Sequence, residues 1–418
     1  MTTPTFDVFE SAKLQLAKAY SLLFPGDMTR FELFIQPQRI IEISIPVKMD
    51  DGTIRVFTWF RSQHSDARGP FKWGIRFHPE VTRGEVKALS LWMSLKCSVV
   101  DIPLGWGKGW IIVDPKTLSE WELERLSRGY VQKLYKYIGP TQDVPAPDVN
   151  TNPKIMGWMA NEYGKLVGEF VPWSFTGKPL TIGGSKGRGS ATAQGGVYVL
   201  QKILELENDT LVGKKVIVQG AGNAWLTVAH ILTQLGAIIV GLADSKWGIY
   251  NVEGVNVSEI ESLKNAKKSV VDSNSGEKVS EKQILEKPCD ILIPAALENQ
   301  ITAENAAKIQ AKYILELANG PTSPEADEIL FTNGKIVIPD ILANAGGVTV
   351  SYFEQVQNSM NYYWKEREVL EKLQEKMFES AQEVYTIGKE YKTFLRNGAY
   401  IGAIKKIFAA MKDSWQLL

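Results

Sequence analysis

The stretch KKVIVQGAGNAW at residues 214–225, followed by AIIVGLADS at 237–245, decides how the chain is read. Lys215 to Gln219 is a short apolar run of strand type, and Gly220-Ala221-Gly222 follows it directly. Leu226, Ala229, Leu232 and Leu235 then recur at helical spacing, and Asp244 closes the next apolar run. Strand, glycine turn, helix, strand and acid in this order form the dinucleotide fingerprint in its proper context. Its glycines let backbone amides approach a pyrophosphate at a helix N-terminus. Gly220, Gly222 and Asn223 are therefore expected on the phosphates and Asp244 on the adenosine ribose. A ribose acid favours NAD, but Lys246 offers a partner for a 2′-phosphate, so NADP stays open.

Working outward, CDILIPAA, YILELAN and KIVIPD add short apolar strands separated by helical segments. That alternation predicts an α/β, doubly wound, Rossmann-like parallel sheet. Ser323, Pro324, Glu325 and Asp327 carry the start signals of a helix: cap, first-turn proline and first-turn acids. Upstream, between about residues 35 and 115, RIIEISIPVKM, IRVFTWF and WIIVDP alternate with a helical stretch from about Thr82 to Met93. Thr82 and Glu85 have capping-box spacing there. An N-terminal amphipathic helix presents Ala12, Leu16, Ala19 and Leu23 on one face, and Leu370, Leu373, Met377, Ala381 and Val384 mark a helix near the C-terminus. Two α/β domains follow: 1–180 for substrate and oligomerisation, completed by helices in 355–418, and 181–354 for the dinucleotide.

The 418 residues include 47 Lys plus Arg against 47 Asp plus Glu, so no net charge calls for nucleic acid or an anionic membrane. No signal peptide or spanning segment is read. Cys97 and Cys289 lack CxxC spacing, and His64, His78 and His230 lack ligand spacing, so no disulfide framework and no metal is expected. A reducing cytoplasm is the simple reading.

Three lysines, Lys72 in GPFKWG, Lys96 in MSLKCS and Lys108 in LGWGKGW, stand beside glycines or apolar runs, and Asp148 follows in VPAPDVNTN. Ammonium groups in apolar surroundings suggest anionic partners or a lowered pKa. Such a group can hold a dicarboxylate and do acid/base work on an amine. The blocks FRSQHSDARGPFKWGIRFHPEVT (60–82), KCSVVDIPLGWGKGW (96–110), VPAPDVNTNPKIMGWM (144–159), FTGKP (175–179), GGSKGRGSATAQG (183–195), LANGPTSPEADEIL (317–330) and PDILANAGGVTVSYFE (339–354) resemble the glutamate dehydrogenases, within the Glu/Leu/Phe/Val amino-acid dehydrogenase superfamily.

That resemblance implies NAD(P)-dependent oxidative deamination of glutamate to 2-oxoglutarate and ammonia, in a cleft between the domains of a homohexamer. It implies Lys108 as the lysine that handles the water, Asp148 as proton shuttle and Lys96 on the substrate α-carboxylate. Lys72 and Ser351 would bind the side-chain carboxylate, with Thr176, Arg188 and Val348 lining that end. Thr192, Ala295 and Asn319 would lie near the cofactor, although Thr192 and Asn319 also read as cap and turn residues. A dehydrogenase of another amino acid is the alternative among enzymes; a non-catalytic scaffold is the alternative outside them.

Of the 12 tryptophans, seven stand where the family's motifs commonly read glycine: Trp59, Trp73, Trp106, Trp110, Trp173, Trp225 and Trp247. Trp225 is expected to separate helix from strand or block the phosphate turn, and Trp106 and Trp110 to crowd a turn around Lys108. Overpacking of about 1 to 3 kcal/mol at each would together rival the roughly 5 to 15 kcal/mol stability of a domain. Some bacteria read UGA as glycine, and a table rendering that codon as tryptophan would place tryptophan at glycine sites alone. An inactive paralogue or deliberate engineering are the alternatives, and neither explains a single type of substitution.

Overall fold

The computed structural model of the chain describes residues 8–80, 83–220, 223–245 and 247–414. They divide into two compact units, Met1–Arg188 with Val348–Val369 and Ala403–Leu418, and Gly189–Gly347 with Leu370–Gly402.

In the first unit, strands β1 (Arg39–Lys48), β2 (Ile54–Ser65), β3 (Phe71–His78), β4 (Trp106–Ile112) and β5 (Asp143–Pro147) form one sheet in the order β1-β2-β4-β3-β5. β3 runs parallel to β4 and β5, and β2 antiparallel to β1 and β4. Side chains alternate between faces along a strand, so each face has its own chemistry. Trp59, Ile75, Phe77 and Ile111 point into a core shared with Leu126, Tyr130 and Leu134 of helix 120–134 and Met156 and Met159 of helix 153–167. Ser119 and Glu122 start the first of these helices with a capping box. On the opposite face stand Ser62, Lys72, Arg76, Lys108 and Trp110, with Ser62 across from Lys108 and Arg76 across from Trp110. Helix Arg83–Val99 packs there through Val86, and its Ser90 accepts a hydrogen bond from Ser62 at 3.0 Å.

Two expectations change. The GWGKGW stretch is extended strand rather than a turn, because glycine and larger residues alternate with period 2. The helix expected to end near Met93 runs on to Val99, so Lys96 sits in its last turn. Thr82 and the side chains of Glu85 and Ala12 lie outside the described residues.

In the second unit, β6 (Lys215–Gln219), β7 (Ile238–Ala243), β8 (Trp247–Tyr250), β9 (Glu277–Ser280), β10 (Ile291–Pro294), β11 (Tyr313–Leu315) and β12 (Ile336–Ile338) form a sheet ordered β12-β11-β10-β6-β7-β8-β9. β12 through β7 are parallel, as expected of a doubly wound sheet. β8 and β9 extend it as an antiparallel edge that the sequence pattern did not announce. Ser323 caps helix Pro324–Thr332 through the Ala326 N–H.

The C-terminal return is shorter than expected. Leu370–Gly402 belongs to the second unit rather than the first. Arg396 explains why, since it is buried against Glu316 at 2.7 Å, Asp327 at 2.6 Å and Asp340 at 3.0 Å. Tyr385 adds a hydrogen bond to Glu207 at 2.8 Å.

Candidate active site

Lys108 projects from β4 with 1% of its side chain exposed and donates to Asp148 Oδ2. Asp148 lies just past β5, held by its own turn: its N–H donates to Thr151 Oγ1 at 2.8 Å, and that hydroxyl donates to the Ile75 carbonyl at 2.9 Å. Arg76 Nε reaches the other carboxylate oxygen at 3.1 Å. Burial lowers the Lys108 ammonium to about 7, against the pull of Asp148 and with the push of Arg76. Burial alone would raise the Asp148 carboxyl, but Lys108 and Arg76 outweigh it and hold it well below the ordinary range. The pair thus joins an ionised carboxylate to an amine that gives up its proton near neutrality.

Lys72 extends from β3 on the same face and donates to Thr176 Oγ1 at 2.8 Å. Thr176 and Ser351 share a hydrogen bond of 2.6 Å. Burial also lowers Lys72 to about 7, with Glu354 opposing. Val348 and Ser351, three residues apart on helix Gly346–Met360, are both buried. Lys96 is buried at its helix end. Arg188 has a buried Nε without a hydrogen-bond partner among the described residues, and burial lowers its pKa against Glu354 and Asp148. An orphaned guanidinium donor fits an anionic ligand. All eight of these residues belong to the first unit.

The residues expected at the cofactor lie in the second unit. Gly220 directly follows β6 with φ +154°, and a Cβ there would meet the Ala295 carbonyl oxygen at 2.7 Å. Only glycine allows the ends of β6 and β10 to approach this closely, which is the close backbone packing a pyrophosphate turn needs. Gly222 lies outside the described residues, as does the side chain of Asn223, the first residue of helix Asn223–Gln234. Asp244 is buried after β7; Ser269 Oγ donates to it at 2.8 Å and the Val270 and Trp247 N–H groups at 3.2 and 3.1 Å. Thr192 is half-buried in the first turn of helix Ala191–Leu206. Asn319 is exposed, and its Oδ1 accepts from Asn344 Nδ2 at 3.0 Å.

The tryptophans divide by environment. Trp59, Trp106 and Trp110 are buried in the first unit; the indole N–H groups of Trp59 and Trp110 have no partner among the described residues, and that of Trp106 faces the Cys97 thiol. Trp59 meets Tyr130 edge-on at 4.5 Å, and the Arg76 guanidinium lies 5.3 Å from the Trp110 ring. Trp225 is buried in the first turn of its helix rather than driven out of it. Trp173 is half-buried and Trp247 is 49% exposed at the start of β8. The side chain of Trp73 lies outside the described residues.

Four residues of the site escaped sequence reading: Gly74, Arg76, Lys178 and Glu354. Gly74 and Arg76 were findable, because they alternate with Lys72 along β3. Glu354 follows Ser351 by one helical turn, which is a signal only once that helix is known.

A dinucleotide-type sheet in one unit, together with a buried lysine–aspartate pair and a second buried lysine in the other, is the build of an amino-acid dehydrogenase. Residues 37–165 match the Glu/Leu/Phe/Val dehydrogenase dimerisation domain and residues 183–414 the Glutamate/Leucine/Phenylalanine/Valine dehydrogenase domain. The chain belongs to this family. It is 48% identical to the catabolic NAD-specific glutamate dehydrogenase of Bacillus subtilis (strain 168) over 383 residues, covering 92% of this chain and 90% of the relative. With the NAD-specific glutamate dehydrogenase of Staphylococcus aureus (strain COL) it shares 46% over 386 residues, covering 92% and 93%. The crystal structure of glutamate dehydrogenase from Peptoniphilus asaccharolyticus superposes with TM-score 0.89 at 44% identity, covering 99% of this chain and 100% of that one. A hetero-hexameric glutamate dehydrogenase from Thermus thermophilus gives 0.91 at 34% identity, covering 99% of each.

Proposed function

We propose that the protein catalyses the reversible, NAD-dependent oxidative deamination of L-glutamate to 2-oxoglutarate and ammonia. The observation that carries this is the buried Lys108–Asp148 pair on the same sheet face as the Lys72–Thr176–Ser351 chain. A nicotinamide held by the second unit would supply the acceptor for the hydride of the substrate Cα. The Gly220 approach to Ala295 fits a dinucleotide phosphate turn, and Asp244 would hold the ribose while Thr192 and Asn319 would hold the nicotinamide.

Asp148, ionised and fixed by Arg76 and its own turn, takes a proton from the substrate amine. Lys108, neutral above about pH 7, takes one from the water that attacks the imine carbon and gives it to the amine nitrogen, and as ammonia leaves Lys108 takes up the remaining hydroxyl proton so that the carbonyl forms. Lys96 and Arg188 hold carboxylate, and Lys72 with Ser351 selects a side chain that carries one. A leucine side chain there would leave the buried ammonium without a counter-charge, a penalty of several kcal/mol. No helix among the described residues is long and apolar enough to cross a membrane. A homohexamer working in the cytoplasm completes the reading; the hetero-hexamer of the Thermus relative supports six subunits.

The test is glutamate-dependent reduction of NAD and NADP by the chain as written and by a form with glycine at the seven tryptophan sites. Turnover with a preference for NAD in either form supports the reading. Folded, assembled protein inactive in both forms turns it to the scaffold alternative.

A further inference from the structure

Helix Gly346–Met360 carries five buried polar side chains among the described residues, Thr349, Ser351, Glu354, Gln357 and Asn358, none more than 2% exposed. A helix face turned inward is ordinarily apolar, because buried polar groups must find partners. Ser351, Glu354, Gln357 and Asn358 each reach a partner in residues 176–185. Ser351 meets the Thr176 hydroxyl at 2.6 Å. Glu354 accepts from the Gly177 N–H at 2.8 Å, the Lys178 N–H at 3.3 Å and Lys178 Nζ at 2.7 Å. Gln357 donates to Ser185 Oγ at 2.9 Å and Asn358 to the Gly183 carbonyl at 2.7 Å. Lys178 Nζ also donates to the Phe175 carbonyl at 2.6 Å, and the Thr176 N–H donates to the Pro145 carbonyl at 3.1 Å, which ties the segment to β5.

The Thr176 hydroxyl sits between Lys72 and Ser351. Lys72 uses one ammonium hydrogen on Thr176, and Thr176 and Ser351 use one hydroxyl hydrogen between them. Two ammonium hydrogens and one hydroxyl hydrogen remain for a ligand, a donor set suited to a carboxylate. Their convergence depends on where the backbone at residues 176–178 is held, and the strongest hold on it is Glu354.

We propose that Glu354 is a positioning residue for substrate selection: by clamping Gly177 and Lys178 it fixes Thr176 between Lys72 and Ser351, and so sets the preference for a substrate with a second carboxylate. This rests on the glutamate reading above. It adds a residue that touches no substrate yet controls which substrate fits.

The test compares, by calorimetry on the full chain with NADH present, binding of 2-oxoglutarate and of 2-oxopentanoate, which has the same length but no second carboxylate. Glutamate-dependent NAD reduction is measured beside it. Glu354→Gln is expected to weaken 2-oxoglutarate about tenfold or more while 2-oxopentanoate moves less than about twofold. The double variant Lys178→Met with Glu354→Gln removes the buried ammonium that the single change leaves unpaired, and is expected to lose selectivity equally. Equal weakening of both ligands, or unchanged selectivity, overturns the proposal. So does failure of both variants to fold, which would make Glu354 a structural residue only. A parent chain that prefers 2-oxoglutarate but reduces no NAD refutes the enzyme reading alone, and the selectivity comparison then still decides the role of Glu354.

Discussion

Gly74 lies directly against Asp148: a Cβ added to the glycine would stand 2.5 Å from the aspartate Cβ and 2.7 Å from its Oδ2. The space for the carboxylate is thus created by a missing side chain on the neighbouring strand. Gly74→Ala should displace Asp148 from Lys108 without touching either residue, and an active-site displacement of about 1 Å can cost about 10²-fold in rate. Steady-state kinetics should show that loss in kcat; an unchanged kcat would mean that Asp148 has slack in its position.

Asp148→Asn should lower kcat by about 10²- to 10⁴-fold, the range of a lost acid/base group. It also removes the charge that favours protonated Lys108. For the parent, kcat/KM for glutamate should rise with pH through about 7 as Lys108 loses its proton. In the variant the residual activity should rise at lower pH, because Arg76 and burial then act on Lys108 unopposed. A pH profile of both forms checks this.

Lys72 and Lys108 also predict a pH-dependent stability. Their folded-state pKa values lie near 7, below the 10.5 of a free lysine, so above about 7 the unfolded chain binds more protons than the folded one. Stability therefore rises with pH across this window. The thermal midpoint of the ligand-free protein should climb between pH 7 and 8.5, and Lys72→Met should flatten the climb. A midpoint falling with pH over that interval would contradict the assigned directions.

The gene offers a direct test of the tryptophans. Two buried indole N–H groups without partners among the described residues, Trp59 and Trp110, at roughly 1–3 kcal/mol for each unsatisfied donor, are a heavy load on one unit. Codons at all seven positions should read UGA, and mass spectrometry of the protein from its own host should show glycine there. UGG at these sites would establish tryptophan as genuine. Restoring glycine at Trp59, Trp106 and Trp110 should then still raise the unfolding midpoint.

Much of this molecule is legible from its sequence, for reasons that differ by site. The β6 strand, glycine turn and following helix are local, and their periodicities announce them. Lys72, Lys108 and Asp148 stand out because charged residues in apolar, glycine-rich flanks need a reason to be there. The Lys72–Thr176–Ser351 chain is not legible from spacing, since its members lie 104 and 175 positions apart and only tertiary packing joins them. The antiparallel β8–β9 edge was hidden by strands of four residues each, too short to show a period. The turn expected at Trp106–Trp110 was misread because glycine was taken as a sign of bending, when it marks one face of a strand.

The helix that bears Ser351 and Glu354 sets a timetable for the nascent chain. Residues up to Arg188 leave the ribosome first, yet their pocket wall is made about 175 residues later, after every strand of the second sheet. At about 5 to 20 residues per second, Lys178 waits roughly 9 to 35 seconds for Glu354, and Lys72 roughly 14 to 56 seconds for Ser351. During that interval the partners that Ser351 and Glu354 supply to Thr176 and Lys178 have not yet been made. The pocket that chooses the substrate is therefore closed late in synthesis, by a segment that emerges only when the other unit's sheet is complete.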